Sequence, residues 1–99
     1  GRCLRYRGLT LDPDAVEVRL DGRVLEQLTA REFELLRELL SSPGRVFTRE
    51  ILLAKLWGYD FFGDERVVDS HIKNLRKKLG VDYIETVRGV GYRVPKEHP

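Results

Sequence analysis

The sequence has very little cysteine, methionine or uninterrupted apolar sequence. Cys3 is the only cysteine among 99 residues and methionine is absent, which excludes an internal disulfide and a cysteine-based metal site. No apolar run approaches the roughly 18 residues that a membrane-spanning helix needs, and the first ten residues lack the apolar core of a secretory signal. We therefore expect a soluble intracellular protein. Because the chain opens at Gly1 without an initiator Met, we also expect processing or excision from a longer protein.

The sequence does contain enough apolar surface for one compact domain. Hydrophobic residues make up 41% of the chain and aromatic residues 9%, a composition that favours folding over disorder. The net charge is only +2, but residues 66–99 hold eight Lys and Arg against four Asp and Glu, whereas residues 1–65 hold ten against twelve. This asymmetry predicts a local basic face, the electrostatic footprint of a small nucleic-acid binder, although many solvated helices share it.

The first 24 residues alternate apolar and polar side chains, which is the period of half-buried β-strands. Gly8, Asp12-Pro13-Asp14 and Asp21-Gly22 separate the runs. An Asp-Gly pair between strands is a strong signal for a two-residue hairpin. We predict an antiparallel sheet of about four short strands.

Two helices with recognisable ends follow the predicted sheet. Thr29 and Glu32 have the spacing of a capping box, and Pro43-Gly44 ends the first helical pattern. Thr48 is placed to cap a second helix that should end at Gly58. After a loop, Asp64 is the expected cap of a third helix.

The third helix, residues 66–79, has two contrasting faces. Its predicted buried stripe consists of Val68, Ile72, Leu75 and Leu79. Its opposite face consists of Arg66, Ser70, Lys73, Asn74 and Lys77. Cations suit phosphates, and amide and hydroxyl groups suit base edges. The only acid of the helix, Asp69, is spaced to hold Lys73 or Arg76. An ordinary solvated helix whose C-terminal cations suit the helix dipole is the alternative.

Residues 84–94 predict a β-hairpin directly after the basic helix. Two β-rich runs flank Arg88-Gly89-Val90-Gly91, which suits a tight turn, with Thr86 and Arg93 nearby. A helix-turn-helix followed by such a hairpin is a winged helix. The predicted fold class is therefore α+β, a winged helix-turn-helix with an N-terminal four-stranded antiparallel sheet.

Four segments carry a resemblance to a known family: LTAREFELL, LLAKLWGYD, VDSHIKNLRKKL and ETVRGVGYR. The chain closely resembles, over nearly its whole length, the C-terminal DNA-binding effector domain of OmpR/PhoB-type response regulators. That resemblance implies a bacterial cytoplasmic transcription factor, with helix 66–79 in the major groove and the wing in the minor groove. Family positions that approach phosphates or bases match Arg66, Ser70, His71, Lys73, Asn74, Arg76, Thr86 and Arg88. Thr86 would contact phosphate and Arg88 would enter the minor groove.

The cations and the neutral polar groups are expected to divide affinity from sequence choice. We predict salt-dependent affinity from Lys73, Arg76 and Lys77. We predict a bias in sequence choice from Ser70, Asn74 and Arg88. Some family members have Arg where Asn74 stands, so a relative's target sequence does not transfer. Asn suits adenine, which predicts an A·T preference at one step.

The loop between the second and third helices has its own expectation. The resemblance implies that it can touch RNA polymerase in activators of the family. The matching residues are Gly58, Tyr59, Asp60, Phe61, Phe62, Gly63 and Asp64. At least two of its three aromatic side chains are expected to be core anchors instead, as is Trp57.

The resemblance also implies partners beyond the DNA. A receiver domain with a phosphoaccepting Asp is absent from these 99 residues, so a sensor kinase would act only through that missing domain. Family members commonly bind direct-repeat half-sites as head-to-tail pairs. We expect the isolated domain to be monomeric or weakly associating until DNA aligns it.

The residues disfavour three other kinds of function. Asp69, Ser70 and His71 are consecutive, so their side chains diverge by about 100° per step on a helix and cannot form a catalytic triad. His98 has no matching ligands, and Gly89-Val90-Gly91 joins two strands, so no enzyme, cofactor or metal site is predicted. A winged helix used only for protein contacts is disfavoured by its exposed cations. Structured RNA is disfavoured because its deep, narrow major groove does not admit a helix.

Overall fold

The computed structural model describes residues 2–80 and 82–97, which form two antiparallel sheets and three helices. In chain order the elements are β1 (Leu4–Tyr6), β2 (Leu9–Asp12), β3 (Glu17–Leu20), β4 (Arg23–Val24), α1 (Ala30–Leu40), β5 (Phe47–Thr48), α2 (Arg49–Leu56), α3 (Arg66–Leu79), β6 (Glu85–Val87) and β7 (Gly91–Arg93). This order confirms the predicted winged helix-turn-helix with an N-terminal sheet. His98, considered above as a ligand, lies outside the described residues.

The N-terminal sheet follows the order β1-β2-β3-β4, with each strand antiparallel to the next. Its inward residues, such as Leu11 and Val18, are buried in the core. Asp21 and Gly22 have φ angles of 51° and 83° between the paired strands β3 and β4. Positive φ at both central residues is the conformation that an Asp-Gly hairpin turn requires, so this predicted turn is confirmed.

Helix α1 begins at the predicted capping box. Glu32 N donates to Thr29 Oγ1 at 3.1 Å, and Thr29 N donates to Glu32 Oε1 at 3.0 Å. Each side chain therefore satisfies a backbone N–H that the first helical turn leaves unpaired. The helix buries Leu35, Leu36 and Leu39 completely, which places it at the centre of the domain.

Helix α2 is shorter than the sequence predicted. Thr48 Oγ1 accepts from Ile51 N at 3.1 Å, as expected of an N-cap. The last helical residue is Leu56, and Trp57 is the C-cap, so the predicted end at Gly58 lies two residues too far along the chain. Gly58 N donates to Leu53 O at 3.0 Å and closes the turn after the helix.

Helix α3 has the predicted bounds and the predicted buried stripe. Its buried residues are Val68, Ile72, Leu75 and Leu79. Their spacing of three or four residues puts all four on one side, where they join the core beside α1. The opposite side of α3 is consequently fixed toward solvent.

The second sheet contains one strand that the sequence did not reveal as paired. Its order is β5-β7-β6, so the short strand before α2 is hydrogen-bonded to the hairpin. A Cβ atom at Gly91 would lie 2.0 Å from the Phe47 carbonyl oxygen, so only glycine permits this close approach. The hairpin is thereby attached to the helices at its base.

Candidate nucleic-acid interface

The exposed face of α3 is cationic and polar. Arg66, Ser70, Lys73, Asn74 and Lys77 are all exposed, on the side opposite the buried stripe. The Ser70 hydroxyl donates to the Arg66 carbonyl at 3.3 Å, and as a hydroxyl it can still accept a second hydrogen bond. This face therefore presents donors and acceptors to a partner without an acidic side chain among them.

The start of α3 is organised by an acidic residue that pairs with the first cation. The N-cap of α3 is Glu65, which makes no side-chain capping bond, so the prediction of Asp64 as the cap was wrong by one residue. Asp64 Oδ1 nevertheless accepts from the Arg66 backbone N–H at 2.8 Å, because its side chain reaches past Glu65 to the first helical residue. The Arg66 guanidinium also donates to Asp64 Oδ2 at 2.8 and 3.0 Å. These hydrogen bonds lower the pKa of the Asp64 carboxyl below its ordinary value.

His71 lies at the edge of the exposed face and packs against Trp57. Its Nδ1 is 2.8 Å from the Val67 carbonyl oxygen. Because a carbonyl only accepts, Nδ1 carries the proton in this contact and Nε2 remains available. The imidazole meets the Trp57 ring edge-on, with ring centroids 5.2 Å apart. The Arg31 guanidinium carbon lies 4.6 Å from the centroid of the same Trp57 ring. Trp57 is half-buried against the core, as the sequence predicted.

Two adjacent lysines near the end of α3 have different environments. Lys77 is exposed, whereas Lys78 Nζ donates to Glu32 Oε1 at 2.5 Å and to the Gln27 carbonyl at 2.6 Å. Glu32 is only 2% exposed. Burial raises the pKa of its carboxyl, but the hydrogen bonds from Lys78 and Thr29 outweigh burial and leave that pKa below its ordinary value. Lys78 thus fixes α3 to α1.

Asp69 does not pair with either cation predicted for it. Its Oδ1 instead accepts from Arg49 Nε at 2.7 Å and from the Tyr92 hydroxyl. The prediction was wrong because packing brings the first residue of α2 and a wing residue within reach of the carboxylate. Burial raises the pKa of Asp69, but these two donors outweigh it and leave the pKa below its ordinary value.

Arg76 ties the exposed helix to the wing. Its Nη2 donates to the Ile84 carbonyl at 2.8 Å and to Thr86 Oγ1 at 2.7 Å, and its Nε donates to the same carbonyl at 3.1 Å. Its guanidinium carbon lies 5.6 Å from the Tyr92 ring centroid. The side chain is half-buried, so its donors are already directed at the hairpin.

The tip of the wing is exposed and carries one cation. Arg88 and Gly89 form the turn, and Val90 N donates to the Val87 carbonyl at 2.9 Å. Val90 is 48% exposed. The wing therefore presents Arg88 beside an apolar side chain, on a hairpin that Arg76 connects to α3.

The loop between α2 and α3 contradicts the prediction of aromatic core anchors. Tyr59 is 95% exposed and Phe62 is 97% exposed. Phe61 alone packs inward, with its ring centroid 6.3 Å from that of Trp57. The loop is too short for three aromatic side chains to return to one core, so two of them face solvent beside the acidic residues Asp60 and Asp64.

Sequence reasoning missed the residues that hold the interface together. Arg49 and Tyr92 orient Asp69, and Glu32 holds Lys78. Only Glu32 had a local signal, its place in the capping box. Within residues 2–80 and 82–97, no cluster of three His, Cys, Asp or Glu residues has metal-site geometry, and no helix is both long and apolar enough to cross a membrane.

The three-helix core, the basic exposed helix and the wing define a winged-helix domain of the DNA-binding class. Residues 23–94 match the family model described as "Transcriptional regulatory protein, C terminal". The chain belongs to this family, the C-terminal DNA-binding domains of OmpR/PhoB-type response regulators.

Relatives and solved structures agree with this family. The chain is 52% identical over 90 residues to the regulatory protein VanRB of Enterococcus faecalis, covering 91% of the chain and 40% of the relative. The DNA-binding domain of Klebsiella pneumoniae RstA, solved in complex with the RstA box, is 34% identical with a TM-score of 0.86, covering 96% of this chain and 98% of that one. The DNA-binding domain of Escherichia coli CpxR is 35% identical with a TM-score of 0.85, covering 99% of this chain and 100% of that one. The chain spans about 40% of the length of the curated relatives it matches.

Proposed function

We propose that this domain binds double-stranded DNA sequence-specifically and thereby controls transcription, with α3 in the major groove and the wing tip in the minor groove. The observation that carries the proposal is the exposed face of α3, which has cations, an amide and a hydroxyl but no acid. Such a face contacts phosphates and base edges together. We also propose the bacterial cytoplasm, where the chromosome lies, as the site of this regulation.

Within this interface we assign affinity and sequence choice to different residues. Lys73 and Lys77 are exposed and contribute contacts to phosphates, and Asn74 and Ser70 face the base edges. The Arg76 guanidinium is engaged by the wing, so we assign it to holding helix and wing together rather than to salt-dependent affinity. Arg66 exchanges Asp64 for a phosphate when DNA approaches, because that ion pair is solvent-exposed and weak.

Arg88 is assigned to the minor groove. It stands at the tip of a hairpin whose position relative to α3 is fixed, and a narrow minor groove has an enhanced negative potential that attracts arginine. Thr86, the middle residue of β6, is exposed and is assigned to a phosphate. His71 Nε2 is assigned to the DNA backbone at the edge of α3.

Binding to direct-repeat half-sites as a head-to-tail pair follows from the family resemblance. One domain presents a single helix and a single wing, enough for one half-site. We expect the free domain to be monomeric and two domains to align on one duplex. A full-length protein with a receiver domain would answer to a sensor kinase through that domain.

The test is selection from a random duplex library, followed by anisotropy titrations of the enriched duplex at several salt concentrations. Native protein should enrich two half-sites about one helical turn apart. Arg88→Ala should weaken binding, whereas Arg37→Ala, a matched exposed arginine on α1, should not. Enrichment of no sequence, with no salt-dependent binding, would favour a protein-contact module instead.

A second proposal concerns the loop between α2 and α3, residues 58–64. The near-complete exposure of Tyr59 and Phe62 favours a protein partner, because large aromatic side chains exposed together mark interaction surfaces. We propose RNA polymerase as this partner. Replacing both residues by Ser should leave DNA affinity unchanged and reduce activated transcription in a purified system. Unchanged transcription from a promoter that the native protein activates would refute this contact.

A further inference from the structure

The two ends of the wing meet the first strand of the N-terminal sheet. Asp82 precedes β6 by three residues, and Pro95 follows β7 by two. Tyr6, the last residue of β1, donates through its hydroxyl to the Pro95 carbonyl at 2.6 Å. The next residue, Arg7, donates through Nη1 to the Asp82 carbonyl at 3.4 Å. The same end of one strand therefore contacts the chain on both sides of the hairpin.

A third contact reinforces this connection beyond the wing. The Arg7 backbone N–H donates to Glu97 Oε1 at 2.9 Å. Arg7 adopts a φ of 53°, a left-handed conformation that costs free energy for a residue with a side chain and persists only where surrounding contacts hold it. Its guanidinium carbon lies 5.1 Å from the Tyr6 ring centroid. These contacts account for a strained residue at a turn where glycine would be relaxed.

The buried side of the connection is aromatic. Tyr6 is 2% exposed, and its ring meets that of Tyr83 edge-on with centroids 6.3 Å apart. Tyr83 is itself in the segment between Asp82 and β6. The Tyr6 ring therefore packs against one end of the wing while its hydroxyl binds the other end.

We propose that Tyr6 and Arg7 are positioning residues for the wing, and that β1 sets where Arg88 enters the minor groove. The hairpin is paired with one further strand, the two-residue β5, and so small a sheet leaves the contacts at the base of the hairpin to set its orientation. Arg88 is four residues beyond Ile84, or about 13 Å at a rise of about 3.3 Å per residue. A rotation of about 10° at the base moves the tip by about 2 Å, which is enough to lose a hydrogen bond.

This inference rests on the proposed binding of DNA by the wing and extends it to residues outside the helix-wing interface. It predicts that a defect at β1 acts on binding only through Arg88. A residue that merely stabilises the fold would instead weaken binding by the same factor whether or not Arg88 is present. The distinction is measurable by a double-mutant cycle.

The experiment uses Tyr6→Phe and Arg88→Ala, alone and combined, in the full chain, with the duplex enriched from a random library as the probe. Losing one net hydrogen bond at the wing base should weaken affinity about threefold when Arg88 is present. The same substitution should change affinity less than about 1.5-fold in the Arg88→Ala background. Tyr83→Phe is the matched control, because its hydroxyl makes no hydrogen bond within residues 2–80 and 82–97.

Glu97→Ala provides a second variant, since Glu97 is exposed and its removal leaves the core intact. It should reproduce the Arg88-dependent loss. Equal losses of DNA affinity with Arg88 present and in the Arg88→Ala background would overturn the positioning role. It would also be overturned if neither Tyr6→Phe nor Glu97→Ala lowered the affinity. Failure of the proposed function has a different signature: native protein would show no salt-dependent binding, or Arg88→Ala alone would have no effect, and the inference would fall with it.

Discussion

Lys77 and Lys78 are neighbours of the same type, and the structure predicts opposite consequences for replacing each by Ala. Lys77 is exposed on the proposed DNA face. Lys78 instead donates to Glu32 on α1 and to the carbonyl of Gln27, which precedes that helix. Lys77→Ala should therefore change DNA affinity without changing stability, and Lys78→Ala should change stability without changing the salt dependence of binding.

For Lys77 the size of the effect follows from counterion release. Each phosphate neutralised contributes a slope of about −0.9 to the dependence of log affinity on log salt concentration. Removing one contact should flatten the slope by about 0.9. Over a fourfold range of salt, the ratio of native to variant affinity should then change by about 3.5-fold. The thermal midpoint should stay within about 2 °C of native, because an exposed lysine away from special features contributes little stability.

For Lys78 the size of the effect follows from the burial of its partner. Breaking a buried ion pair by removing one member typically costs about 3–5 kcal/mol. The Lys78 side chain is 27% exposed and Glu32 keeps its hydrogen bond to Thr29 N, so about 2 kcal/mol is expected. For a domain of this size, that loss lowers the thermal midpoint by roughly 10 °C.

The assay pairs thermal unfolding, followed by circular dichroism, with anisotropy titrations of the enriched duplex at four salt concentrations. Binding is measured well below both midpoints so that every variant is folded. A flattened salt slope for Lys78→Ala, or a native slope for Lys77→Ala, would refute the separation of the two lysines. Equal destabilisation by both substitutions would refute it as well.

Three other predictions follow from the interface and its supports. Asn74→Ala should relax the preference for one A·T step and cost about 1–3 kcal/mol on the preferred duplex, as repeated library selection with the variant will show; an unchanged consensus would exclude Asn74 from base recognition. Arg76→Lys should lose the bidentate contact to the Ile84 carbonyl and speed amide exchange in β6, whereas unchanged exchange would contradict its role as the link to the wing. The pKa values of Glu32 and Asp69 are lowered in the folded protein, so the unfolded chain binds more protons; stability should be complete above about pH 5 and fall as pH drops through about 4. Urea unfolding across this range should show a shallower decline in the free energy of unfolding for Glu32→Gln than for native protein. An equally steep decline would exclude Glu32 as a source of the pH dependence of stability.

Local signals in the sequence were sufficient for most elements of the fold, but not for the pairing of β5 with the hairpin or for the end of α2. The bounds of α3 were predicted correctly because its buried residues recur at intervals of three or four over about three turns. The turn at Asp21-Gly22 and the capping box at Thr29 were correct because each depends on residues close in sequence. The roles of the exposed residues in DNA binding remain predictions.

Contacts between distant segments were beyond the reach of the sequence. Asp69 has two cations at helical spacing, but its partner Arg49 is 20 residues away and becomes its neighbour only when α2 packs beside α3. The aromatic loop failed for a related reason. Burial is the usual state of Phe and Tyr, and the sequence does not show that only Phe61 can reach Trp57 from a short loop.

Chemical footprinting with dimethyl sulfate tests the central claim most directly, because it reads both grooves of one duplex. The reagent modifies guanine N7 in the major groove and adenine N3 in the minor groove, two positions that recognition from each groove would cover. Native protein should protect guanine N7 within each half-site and adenine N3 beside it, and Arg88→Ala should lose only the adenine protection. Protection confined to one groove, or loss of both protections in Arg88→Ala, would contradict a recognition helix and a wing that read separate grooves.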